Sequence, residues 1–183
     1  PGYRIFAFEY SGYPGSKGLF MGFAQAVLDT KKAIDFAFNP QMPLYLFGHS
    51  MGAYAVFAVP KISDKKIDGI IGYAPFYSPS AALSSLTGKN KALFYIVSAV
   101  QKIVFGKNSD LKADNNGIPA LIIQGSNDRE VTEKCSLFAH RAELNNVRAV
   151  LAENCGHMDV IRSANGVNED TFVLTEEFLE KLN

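Results

Sequence analysis

Leu44-Tyr45-Leu46-Phe47-Gly48-His49-Ser50-Met51-Gly52-Ala53-Tyr54-Ala55 is the stretch from which the rest of the chain is read. An apolar run of strand formers ends at Gly48. A serine follows between two glycines, and then a helix-compatible segment with Ala53, Ala55, Val56 and Ala58. Gly48-His49-Ser50-Met51-Gly52 has the spacing G-x-S-x-G, the pattern of a nucleophile elbow. Such an elbow holds its serine on a strained strand-to-helix turn with the hydroxyl above a sheet. The flanking glycines remove side chains that would strike the neighbouring strand and helix. The first N–H groups of the following helix present a positive dipole end to developing negative charge. The plain alternative is an ordinary strand-to-helix turn with a Gly-Ser loop.

On either side of this stretch, strand and helix signals alternate. Tyr3 to Phe8 reads as a strand, Ser11 to Ser16 as a loop, and Leu19 to Phe38 as a helix stopped by Asn39-Pro40. After the elbow helix, Ala53 to Val59, the run Ile67 to Ala74 is nearly all apolar, as a strand covered on both faces requires. Ala120 to Gln124 and Val147 to Leu151 are further strands. Thr132 to Leu144 and Glu169 to Leu182 are helices. Residues 75–117 carry no strand signal and hold an apolar helix candidate over 92–105; they read as a lid or cap inserted into the domain. The alternation predicts an α/β fold, a mostly parallel sheet with helices on both faces, in one domain spanning 1–183.

The 183 residues are 48% hydrophobic, enough for a real core. Eighteen Lys+Arg balance eighteen Asp+Glu, which gives no reason to expect nucleic acid or an anionic membrane surface as partner. There is no apolar run long enough to cross a bilayer. Cys135 and Cys155 are too few for a disulfide framework, so reduced thiols in a cytoplasmic-type protein are expected. The three histidines lack short-range metal-ligand spacing, and Gly12, Gly15 and Gly18 match no nucleotide fingerprint. No metal or cofactor is expected, and the partner is a small acyl substrate.

In such a sheet, functional groups gather past the carboxyl ends of the strands. Ser50, Asp128 and His157 fall there in the order expected behind a nucleophile elbow. Ser50 would be the nucleophile, His157 its base and later the acid, and Asp128 the group that orients and stabilises the imidazolium. Glu130 is a second acid close by. His49 lies beside Ser50, where its side chain should point away from the hydroxyl, and His140 reads as a helix-surface residue.

With these residues in place the chain resembles the α/β-hydrolase superfamily, in its serine-hydrolase branch of esterases, lipases, thioesterases and peptidases. The resemblance rests on Gly48 to Gly52, on Ile122-Ile123-Gln124-Gly125-Ser126-Asn127-Asp128-Arg129-Glu130-Val131, and on Cys155-Gly156-His157. It also covers Tyr3 to Ser16, where Glu9 stands in place of the family's usual Asp. It implies cleavage of an ester, thioester or amide through an acyl-Ser50 intermediate, with the Met51 N–H as one oxyanion donor. Apolar residues of the insertion, with Phe76, Tyr77 and Phe94 as candidates, suggest an apolar acyl group.

The family's His-Gly loop and the strand before it do not precede Tyr3, so upstream residues are expected to complete the sheet and the oxyanion hole. A second version puts Tyr3–Phe8 in the central place and takes the donor from the Ser11–Ser16 loop. Two other functions stay open: a non-catalytic binding protein on this scaffold, and acyl transfer to an acceptor other than water.

Overall fold

The computed structural model describes residues 2–87, 91–163 and 166–182, with the side chains of 85–87, 91, 93 and 94 outside that description. Four parallel strands form its main sheet: β1 (Tyr45–His49), β2 (Gly69–Tyr73), β3 (Ala120–Gly125) and β4 (Val147–Ala152), in the order β1-β2-β3-β4. The register runs Tyr45 to Gly69, Ile70 to Ala120 and Ala120 to Val147, so all four strands end on one side together. β2 and β3 are buried along their whole length. Their near-continuous apolar runs follow from having helices on both faces.

Strand alternation divides the core in two. Leu46, Ile70, Ala120 and Ile122 pack with Val27 and Ile34 of α1 (Phe23–Ala37) and with Tyr54, Phe57 and Ala58 of α2 (Met51–Ala58). Ile71, Tyr73, Leu121 and Ile123 face the other way, onto Val160 and onto Phe178 of α5 (Glu169–Glu180). Between β2 and β3 the chain leaves the sheet through α3 (Pro79–Thr87) and α4 (Lys91–Phe105). A short antiparallel pair, β5 (Arg162–Ser163) and β6 (Gly166–Val167), precedes α5. Cys135 and Cys155 are free thiols. Among the described residues no helix is long and apolar enough to cross a membrane.

Three expectations need correction. Tyr3–Phe8 forms no strand, and among the described residues β1 is paired on the β2 side only, so the segment does not take the central place either. A strand needs a partner ladder, and an apolar groove of about 730 Å³ separates this segment from β1. The groove is lined by Tyr3, Phe6 and Phe8 on one side and by Tyr45, Phe47 and Tyr73 on the other. The helix read from Leu19 begins only at Phe23, because Gly22 is at φ 99°, a left-handed conformation that interrupts the turn. The helix read over 132–144 is instead a turn followed by a 3₁₀ segment, Leu137–Glu143. Extended Ser136 starts that segment afresh, its hydroxyl accepting from the Phe138 N–H in place of an upstream helical carbonyl.

Candidate active site

Ser50 joins β1 to α2 at φ 54° and ψ −116°, a region that non-glycine residues rarely occupy. Its N–H donates to the Tyr73 carbonyl at 2.8 Å, which ties the turn to β2. The first helical bond of α2 runs from the Tyr54 N–H to the Ser50 carbonyl. The N–H groups of Met51, Gly52 and Ala53 therefore have no acceptor within the helix and open toward the site. Gly48 is required by contact: a Cβ there would lie 2.3 Å from the Gly52 carbonyl carbon and 2.6 Å from the Ala53 nitrogen. Both are backbone atoms that cannot swing aside. Gly48→Ala is expected to lower stability by about 3 kcal/mol or more, read as a fall in the denaturant midpoint.

The turn after β3 carries Asp128. Its Oδ1 accepts from the Glu130 and Val131 N–H groups at 2.9 and 2.8 Å. Its Oδ2 accepts from Gln124 Nε2 at 2.9 Å and from His157 Nδ1 at 2.8 Å. The Asp128 side chain is 1% exposed. Burial alone would raise its pKa, but the hydrogen bond to His157 and the two backbone N–H donors outweigh that and hold it below the usual carboxylate value. His157 follows β4 in a loop that passes close over β3, where a Cβ on Gly125 would meet the Cys155 carbonyl at 2.4 Å. The Asn127 N–H donates to that carbonyl at 2.9 Å. Burial acts to lower the pKa of His157, yet Asp128 and the charge of Glu130 prevail and raise it. Glu130 itself lies 3.7 Å from the other ring nitrogen, Nε2, and is largely exposed. Among the described residues no hydrogen bond joins Ser50 Oγ to His157.

The sequence profile described as serine aminopeptidase, S33 matches residues 1–108, more than half of the chain. The chain belongs to this family of α/β hydrolases. Solved structures support the fold. Alpha/beta hydrolase domain-containing protein 10 from mouse superposes with a TM-score of 0.66 at 13% identity, over 96% of this chain and 77% of that one. An alpha-beta serine hydrolase homologue from Coxiella burnetii matches at 0.54 and 19%, over 95% of this chain but 66% of its own. YbtT, a type II thioesterase from the yersiniabactin NRPS/PKS pathway, matches at 0.53 and 18%, over 91% and 77%. No curated protein matches the sequence.

The chain has further residues around the Asp128–His157 pair that the sequence did not single out. Gln124, at the end of β3, braces Asp128 and is itself fixed by Ser136, whose hydroxyl donates to Gln124 Oε1 at 2.8 Å. His49 lies with its ring 4.6 Å from that of His157, and its Nε2 donates to the His157 carbonyl at 2.9 Å. Burial holds His49 below its usual pKa, so it is the neutral, Nε2-protonated ring that donates. The signal for both was weak: a polar residue ending an apolar strand, and a histidine whose neighbour in space is 108 residues away.

Phe76 is 3% exposed, stacked on Tyr54 and edge-on to Phe23, and so belongs to the core. Tyr77 stacks on His140, with its hydroxyl donating to Glu143. The side chains of Leu93 and Phe94 lie outside the described ones.

Proposed function

We propose that this chain is a serine hydrolase that cleaves a carboxylic ester, or a related thioester or amide, through an acyl-Ser50 intermediate. The observation that carries the reading is the His157 Nδ1–Asp128 Oδ2 hydrogen bond of 2.8 Å, made at the strand ends that also present the strained Ser50 turn. Asp128 accepts from Nδ1 and leaves Nε2 as the basic nitrogen. As the substrate carbonyl approaches, Nε2 turns from Glu130 and takes the Ser50 proton while Oγ attacks. Such contacts tighten in the substrate complex. The tetrahedral oxyanion is held by the Met51 N–H at the positive end of α2. His157 then protonates the leaving alcohol, thiol or amine, and water repeats the sequence to release the acid.

Segment 75–117 serves this site as a lid, within the single domain 1–183. The thioesterase name of one structural relative favours including acyl thioesters in the first substrate panel. Acyl transfer to a non-water acceptor uses the same intermediate. A non-catalytic binding role is favoured by one observation, the lack of a Ser50–His157 hydrogen bond among the described residues.

Labelling with a fluorophosphonate, read by intact mass, separates these readings. A single adduct mapped to the peptide carrying Ser50 is the expected result. A folded protein that takes up no label would leave the binding role.

A further inference from the structure

Helix α4 carries apolar residues on its outward face as well as its inward one. Its half-buried residues are Val97, Ser98, Gln101 and Phe105, and Gln101 Nε2 donates to the Met21 carbonyl. Its outer face carries Tyr95, Ile96, Ala99, Val100, Ile103 and Val104, at three- and four-residue spacings over about three turns. All six are exposed, Ile103 to 83%. Leu19 and Met21, on the loop that Gln101 binds, are also exposed. Single exposed apolar residues need no explanation, but a continuous stripe of this kind marks an interaction surface.

The charge around the stripe selects the partner. Lys102 and Lys107 are exposed on and just after α4, and residues 91–109 contain no Asp or Glu, although the chain as a whole is neutral. A second copy of α4 would bring the same lysines against each other with no carboxylate on the helix to pair them. A surface that offers anionic headgroups above an apolar interior satisfies the lysines and the stripe together. With 15 residues, α4 spans about 22 Å and is too short to cross a bilayer, so it would lie in the plane of the interface.

We infer that α4 is a membrane-docking helix that seats its Ile96–Ile103 face in an anionic phospholipid surface. The inference stands apart from the proposed chemistry at Ser50.

Vesicle co-sedimentation tests it, with 1:1 phosphatidylglycerol:phosphatidylcholine vesicles beside pure phosphatidylcholine ones. The protein is expected to partition at least about tenfold more strongly onto the anionic vesicles, and raised salt should weaken it. Ile103→Asp, an exposed change that leaves the core untouched, should lower that partitioning about tenfold. Lys102→Glu with Lys107→Glu should remove the preference for anionic vesicles. A parent protein with a normal unfolding transition that stays in the supernatant overturns the inference, as does Ile103→Asp that sediments like the parent. A parent dimer that Ile103→Asp converts to monomer, without vesicle binding by either, also overturns it and gives the stripe to a second copy.

Discussion

Ser50→Ala is expected to lower turnover of an activated ester by about 10⁴- to 10⁶-fold, with fluorophosphonate labelling lost altogether. The substitution removes the atom that, on the proposed mechanism, forms the acyl bond, and leaves the surrounding groups in place. Met51, Gly52 and Ala53 still present their N–H groups, and His157 remains bonded to Asp128. The residual rate should therefore exceed that in water, through the helix N-terminus and substrate positioning alone. Alanine tolerates φ 54° no better than serine does, so the fold should keep the parent's stability to within about 0.5 kcal/mol. Unchanged turnover in a variant of normal stability would place the nucleophile elsewhere and end the acyl-Ser50 proposal.

The sequence disclosed most where local pattern and global demand coincide. The strand-to-helix turn was legible because Gly48 meets the backbone of Gly52 and Ala53, a steric need set within five residues, and Ser50 holds the strained conformation between them. β2 and β3 were legible because burial on both faces leaves no polar position. The parallel α/β architecture and the α/β-hydrolase superfamily followed from those strands and the motifs between them. What failed depended on partners that local pattern does not encode. Tyr3–Phe8 has strand composition, but no neighbouring strand pairs with it. The apolar composition of 92–105 announced a helix without saying how much of it the protein would cover, and Tyr95, Ile96, Val100, Ile103 and Val104 are exposed. A helix over 132–144 does not form, because the Ser136 hydroxyl serves Gln124 from twelve residues away as well as the Phe138 N–H, demands that override propensity. The His49–His157 and Gln124–Asp128 contacts could be placed only after the strand ends were brought together.

Asp128→Asn should reduce kcat by about 10⁴-fold with little change in KM, and should move the acid limb of the pH–rate profile to lower pH. The reason lies in the donors around the carboxylate. Two backbone N–H groups fix an acceptor at Oδ1, so an asparagine would keep its carbonyl there and place its NH₂ at the Oδ2 position. That NH₂ would face Gln124 Nε2 and His157 Nδ1, both donors to Asp128 in the parent. His157 can relieve the clash only by giving up the Nδ1 proton and holding its proton on Nε2, the nitrogen that must accept from Ser50.

The pH shift has its own sign. In the parent, burial lowers the His157 pKa but Asp128 and Glu130 raise it above its usual value, so the neutral base appears only at higher pH. Without the Asp128 carboxylate, burial remains and only Glu130 opposes it, and the ring deprotonates earlier. Stability should respond through the same pair. The raised His157 pKa contributes stability that is fully present below the unfolded histidine value and lost as pH rises through the folded one. The lowered Asp128 pKa contributes stability present above the unfolded carboxyl value and lost as pH falls through the folded one. The parent's advantage over Asp128→Asn in thermal unfolding should thus be greatest between those two values and shrink toward either side. An advantage independent of pH would mean that the 2.8 Å contact does not couple the two ionisations, and a turnover within tenfold of the parent would take the orienting role away from Asp128.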